Sequence, residues 1–77
     1  MDAHKLVKMA NEIASFFEAE PDHAVAVEGV AGHLKRFWDP RMRRELLRWQ
    51  DEHGGEGLKD SVREALAVHR NKLTGGV

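Results

Sequence analysis

The chain has 77 residues, a formal net charge of −1 and no cysteine. That length predicts one small domain with little volume for a deep active site, which argues against an independent enzyme. Without cysteine, disulfides and thiolate metal sites are excluded, and the lack of a signal peptide or of about 20 consecutive apolar residues favours a cytoplasmic protein without a membrane span.

The first predicted helix runs from Ala3 to about Ala19, with Asp2 as its N-cap. Pro21 ends it, because the residue before a proline avoids the α region. Its apolar side chains fall on one arc of about 120°. These are Leu6, Met9, Ala10, Ile13, Phe16 and Phe17.

The second predicted helix begins at Asp22 or His23 and ends at Phe37 or Trp38. The alternation in "HAVAVEGV" also fits a strand, but the longer 3.6-residue period outweighs it. The apolar arc of this helix is Val27, Val30, Ala31, Leu34, Phe37 and Trp38.

Two glycines, Gly29 and Gly32, lie on the opposite side of the second helix. Each costs about 1 kcal/mol against alanine inside a helix. We therefore expect them to allow another backbone to approach closely, either within the domain or on a partner.

The pair Asp39-Pro40 separates the second predicted helix from the third. Aspartate is a good N-cap, and proline suits the first helical position because its missing N–H would be unpaired there anyway. The third helix ends near His53, before Gly54 and Gly55. Its inner stripe is Met42, Leu46 and Trp49.

The fourth predicted helix runs from about Lys59 to Lys72, and Leu58 covers its start. Its inner stripe is Val62, Ala65, Leu66 and His69, and we expect fraying at residues 1–2 and 73–77. The predicted fold is all-α, a single domain over residues 1–77 with three to four short helices. The predicted core is Leu6, Met9, Ile13, Phe16, Phe17, Val27, Val30, Leu34, Trp38, Met42, Leu46, Trp49, Val62 and Leu66.

Charge is segregated along the chain, with formal charges of −4 over residues 1–28, +4 over residues 29–48 and −1 over residues 49–77. Arg41, Arg44 and Arg48 share one face of the third helix, away from its inner stripe. This face is either solvated or a binding face for an anion or a partner, and Leu47, which lies off the inner stripe, favours an interface. The predicted partner-binding residues are Arg36, Arg41, Arg43, Arg44, Leu47, Arg48, Gly29 and Gly32.

Other chemistries find little support in the sequence. No two histidines stand three or four residues apart, no glycine-rich loop follows a strand, and neither serine has a base at a suggestive spacing, so we expect no metal, phosphate-loop or catalytic site. The aromatic pair Phe37 and Trp38 beside arginines leaves nucleic-acid binding as a lesser alternative, which the near-neutral total charge disfavours.

Two tracts, "KMANEIASFF" at 8–17 and "GVAGHLKRFWDPRMRREL" at 29–46, resemble the delta subunit of soluble, NAD-dependent, molybdenum- or tungsten-containing formate dehydrogenases. The resemblance covers about residues 6–68, and "HLKRFWDPRMR" is its most specific part. It implies a small, non-catalytic accessory subunit that binds no cofactor itself. The implied partner is the catalytic alpha subunit, which holds a bis-molybdopterin guanine dinucleotide.

The resemblance implies support for assembly, maturation or stability of the molybdenum enzyme. The alternative is a free-standing maturation factor that binds the anionic pterin cofactor directly through Arg41, Arg43 and Arg44.

Overall fold

The computed structural model describes residues 2–75, and that part of the chain is all-α with no strand. Five helices follow one another: α1 (Ala3–Phe17), α2 (His23–Phe37), α3 (Pro40–His53), α4 (Asp60–Val68) and α5 (Arg70–Gly75). The predicted fold class is therefore confirmed, with one additional short helix. Predicted fraying at residues 1, 76 and 77 lies outside the described residues.

Each of the first three helices begins with an aspartate cap. The caps Asp2 and Asp39 confirm the predictions, whereas the sequence predicts Asp22 only as a possible first residue of the second helix. Asp2 Oδ1 accepts from the His4 amide at 2.9 Å, Asp22 Oδ1 from the Ala24 amide at 3.0 Å, and Asp39 Oδ1 from the Met42 amide at 3.0 Å. These bonds satisfy amides that have no partner within the helix, so each helix start is fixed locally by its own sequence.

The core is built around α2, which packs against α1, α4 and α5. Most of the predicted core is confirmed as buried: Leu6, Val27, Val30, Leu34, Trp38, Leu46, Val62 and Leu66. A second group is partly buried against that cluster: Ile13, Phe17, Met42 and Trp49. The small, fully buried Ala10 and Ala14 of α1 belong to the same core cluster, and α1 packs against α2, α3 and α4.

The loop between α3 and α4 is clamped by the side chain of Asn11 on α1. Asn11 Nδ2 donates to the Gly57 carbonyl, and Asn11 Oδ1 accepts from the Lys59 amide, both at 2.9 Å. Gly54 closes α3 in the left-handed conformation with φ 63°, which glycine adopts without a Cβ penalty. The sequence predicts only that α3 ends at these glycines. In the structure, hydrogen bonds from the Asn11 side chain also fix the loop to α1.

The predicted single helix over residues 59–72 is wrong in one respect, because it breaks at His69. The break turns α5 back over the core, where Leu73 is 1% exposed, and residues 73–75, which are predicted to fray, belong to this helix. Arg70 ties α5 to α3 by donating to both carboxylate oxygens of Asp51, at 3.0 and 2.6 Å. This hydrogen bonding lowers the pKa of the Asp51 carboxyl, so the link is present at neutral pH.

The corner between α2 and α3 gives a first testable prediction. Asp39→Ala should destabilise the protein by about 1 kcal/mol, because the Met42 amide loses its acceptor, whereas Pro40→Ala should be nearly neutral. Urea unfolding midpoints of the two variants measure the difference. Equal midpoints would mean that the Asp39 carboxylate does not hold the start of α3.

Candidate functional site

Arg43 is buried at the α2–α3 corner, with only 5% of the residue exposed. Its Nη1 donates to the Lys35 carbonyl at 2.7 Å and to the Trp38 carbonyl at 3.1 Å. Both acceptors belong to the C-terminal turn of α2, where helix carbonyls lack amide partners and the helix dipole is negative. The predicted role of Arg43 in partner binding is therefore replaced by a structural one, since its guanidinium caps α2.

Leu47 is also interior, at 3% exposure, and belongs to the same core cluster as Leu73 of α5. The prediction that Leu47 lies off the core stripe is wrong. Relative to that prediction, the buried face of α3 is rotated by roughly 80° at ~100° per residue. The rotation brings Arg43 and Leu47 inside and leaves Met42 and Trp49 half-buried.

Three other arginines are bound to carboxylates of their own chain. Arg48 approaches Glu52 at 3.3 Å and Glu45 at 4.0 Å, so this predicted partner-binding residue already has acidic neighbours on α3. Arg63 pairs with Asp60, and Arg70 with Asp51.

Three further arginines and one lysine form what we call the basic corner, defined by Lys35, Arg36, Arg41 and Arg44. All four side chains are exposed, and none has a carboxylate of residues 2–75 within 4 Å. Arg41 and Arg44 line a recess of about 360 Å³ together with Asp39 and Pro40. Within the described residues, the basic corner therefore holds positive charge that the chain does not neutralise by ion pairing.

Beside the corner lies what we call the aromatic groove, a depression of about 550 Å³ between α1 and α2. Its lining is Met9, Glu12, Ile13, Phe16, Phe17, His33 and Trp38. Phe16 is 76% exposed and Met9 is 40% exposed, so their prediction as core residues is wrong. The buried face of α1 is centred near Ala10, and both side chains point roughly 100–120° away from it at ~100° per residue.

A second recess of about 210 Å³ connects the groove to the corner. It is lined by Phe17, Gly29, Gly32, His33, Arg36 and Phe37. The His33 ring lies between Phe17 and Phe37, with centroid distances of 6.2 and 4.7 Å, and Phe37 is 66% exposed. Because both depressions share Phe17 and His33, they form one continuous surface that runs from Phe16 to Arg36 of the basic corner.

The two glycines of α2 differ in their surroundings. A Cβ on Gly29 would overlap the Phe17 ring and lie 2.7 Å from its Cε1, so a side chain of the same chain occupies that position. A Cβ on Gly32 would meet nothing within 4 Å, and Gly32 is exposed. At Gly29 the close neighbour is the Phe17 side chain and not the backbone expected from the sequence, and of the two glycines only Gly32 is left open to a partner.

This difference predicts opposite effects of the same substitution. Gly32→Ala should stabilise the isolated protein by about 0.4–1 kcal/mol, because alanine restricts the unfolded chain and fits the open site. Gly29→Ala should destabilise it by about 1–3 kcal/mol, because the Phe17 ring must move. Thermal unfolding midpoints provide the measurement. Stabilisation by both substitutions would contradict the seating of Phe17 on Gly29.

The described residues offer few other features for chemistry. Within residues 2–75, no three side chains of histidine, aspartate or glutamate are grouped so as to hold a metal ion. Nor is any helix of that range long and apolar enough to cross a membrane.

The fold and the surface together define a small all-helical protein with an exposed basic and aromatic face. The family model of the NADH-dependent formate dehydrogenase delta subunit FdsD matches residues 5–66. The chain therefore belongs to this family, which confirms the resemblance indicated by its two sequence tracts. Among curated proteins and solved structures, none matches the chain.

The family match includes the whole candidate surface. The aromatic groove and the basic corner lie between Met9 and Arg44, inside the matched residues 5–66, whereas α5 lies beyond them. Membership of a subunit family implies a complex with other formate dehydrogenase subunits.

Proposed function

We propose that the chain is a non-catalytic accessory subunit that docks on the catalytic alpha subunit of a cytoplasmic NADH-dependent formate dehydrogenase. Docking supports assembly, maturation or stability of that molybdenum enzyme. Membership of the delta-subunit family supports a formate dehydrogenase as the complex in which the chain takes part. The basic corner is the observation that carries the docking proposal, because its cations lack acidic partners within residues 2–75.

The physical argument is one of complementarity. The chain neutralises Arg48, Arg63 and Arg70 with its own carboxylates, although exposed ion pairs contribute only about 0–1 kcal/mol each. Arg36, Arg41 and Arg44 keep their guanidinium groups free. A planar guanidinium fork binds carboxylates in two-pronged geometry, which suits a protein interface with acidic residues.

The alternative function, direct binding of the anionic pterin cofactor, retains one supporting observation. Arg41 and Arg44 line a recess of about 360 Å³ that a phosphate group could enter. Arg43, the third residue proposed to bind the cofactor, already donates hydrogen bonds to the backbone carbonyls of Lys35 and Trp38. The nucleic-acid alternative is weakened in the same way, because Trp38 is only 6% exposed and cannot stack on a base.

The docking proposal predicts that Arg41→Glu with Arg44→Glu abolishes co-purification with the alpha subunit. Truncating a buried interfacial charge costs about 2–5 kcal/mol of binding, and reversal adds repulsion. The fold should persist, because both side chains are exposed. The measurements are circular dichroism, melting temperature, co-purification and formate dehydrogenase activity in cells.

A matched control reverses two lysines elsewhere. Lys8→Glu with Lys72→Glu makes the same change in net charge at exposed positions outside the corner and the groove. This control should keep both binding and activity. Full binding by the folded arginine variant would refute the docking proposal. If only phosphate or nucleotide stabilisation were lost, the cofactor-binding alternative would replace it.

A further inference from the structure

We propose that the aromatic groove receives an amphipathic helix of the catalytic subunit, which presents apolar side chains to the rings and carboxylates to the basic corner. The inference rests on the proposed function and deepens it, since it names the chemistry of the docking segment.

Three large apolar side chains along the groove are exposed to solvent. Phe16, Phe37 and Met9 are 76%, 66% and 40% exposed and lie along one continuous pair of depressions. Single exposed apolar residues are ordinary, and Val68 on α4 is an example at 66% exposure. Contiguous apolar surface with a polar rim is typical of a binding site.

The all-helical surroundings of the groove determine which kind of segment it can bind. No strand lies within residues 2–75, so this part of the chain offers no sheet edge to which an extended segment could add. The groove between two helices fits the mode in which an amphipathic helix lays its apolar face into a hydrophobic groove. At Gly32, nothing occupies the space within 4 Å of a Cβ position, which lets the backbone of a partner helix come close.

The two depressions differ in the charged side chains that line them. Arg36 lines the recess on one side of the Phe17–His33 pair, whereas Glu12 lines only the groove on the other side. Carboxylates of a bound helix are therefore favoured beside Arg36 and disfavoured beside Glu12. This asymmetry fixes the direction of the helix, with its acidic end at the basic corner.

Site-specific photo-crosslinking in the assembled complex tests the proposal. A benzophenone amino acid replaces Phe37, and a matched control places it at Val68, which is equally exposed but lies outside the groove. The chain is co-expressed with the catalytic subunit, and mass spectrometry identifies the crosslinked peptide. We expect Phe37 to yield one amphipathic helix of the catalytic subunit with carboxylates within about two turns, and Val68 not to yield it.

Three outcomes would overturn the inference. They are a crosslink from Phe37 to a second copy of this chain, a crosslink to a segment without carboxylates, and no crosslink although the subunits co-purify. In each case the docking proposal itself is judged separately, by co-purification of the unlabelled wild-type subunits. Absence of that co-purification would refute both proposals.

A second experiment removes the rings and leaves the charges in place. Phe16→Ser with Phe37→Ser should leave the fold intact, because both rings are largely exposed, and should weaken binding about tenfold or more. Val68→Ser is the control and should bind normally. Normal binding by the folded double variant would overturn the groove proposal, whereas loss of binding in the Arg41→Glu and Arg44→Glu variant would still support docking.

Discussion

Leu47→Ala is expected to destabilise the isolated protein by about 2–5 kcal/mol, because truncation of a buried leucine loses transfer free energy and leaves a cavity. Leu47 is 3% exposed and belongs to the core that α5 covers. A domain of this length has a total stability of roughly 4–12 kcal/mol. The substitution therefore removes a large fraction of it.

Urea unfolding followed by circular dichroism measures this loss. Val68→Ala is the matched control, because it shortens an exposed apolar side chain on α4 and should change stability by within about 0.5 kcal/mol. A silent Leu47→Ala would place the side chain on the surface and restore it to the candidate partner site.

Arg43→Ala is expected to destabilise the isolated protein by about 2–4 kcal/mol. A hydrogen bond from a charged donor contributes about 1.5–3 kcal/mol, and a single nitrogen, Nη1, supplies the bonds to both the Lys35 and the Trp38 carbonyl. The last turn of α2 also loses the cation beside its negative dipole end. Because Trp38 sits in this corner, its packing should loosen as well.

The control for Arg43 is Arg41→Ala on the same helix, where the side chain is exposed and unpaired within the described residues. The two urea midpoints and the tryptophan fluorescence of each variant, to which both Trp38 and Trp49 contribute, provide the readout. We expect a lowered midpoint for the Arg43 variant alone. Equal midpoints would show that the guanidinium of Arg43 does not hold the corner.

The burial of Leu47 and Arg43 could not be predicted from the sequence, whereas other features of the fold could. Helix starts could be predicted because a cap is a contact between near neighbours, as in the bond from the Met42 amide to Asp39. The basic corner could be predicted in part, because Arg36, Arg41 and Arg44 stand off the apolar stripes. Helical spacing alone could not show that Arg43 points inward. Its hydrogen-bond acceptors are backbone carbonyls, which every residue has, so no side-chain pattern in the sequence marks them.

The aromatic groove was missed for a different reason. Phe16 and Met9 fall on one edge of the apolar arc of α1. The fully buried Ala10 and Ala14 show that the buried face is rotated away from this edge, which is left in solvent. The same rotation on α3 followed from α5, whose return over Leu47 depends on the break at His69.

The two ends of α2 carry opposite charge, and the consequence is kinetic. Glu20 and Asp22 lie in the turn before the helix, and the basic corner begins in its last turn, about 20 Å away for 15 residues. This separation gives the molecule an electric dipole along α2. An acidic docking surface would therefore orient the subunit before contact, and raising the ionic strength would slow association far more than it would hasten dissociation.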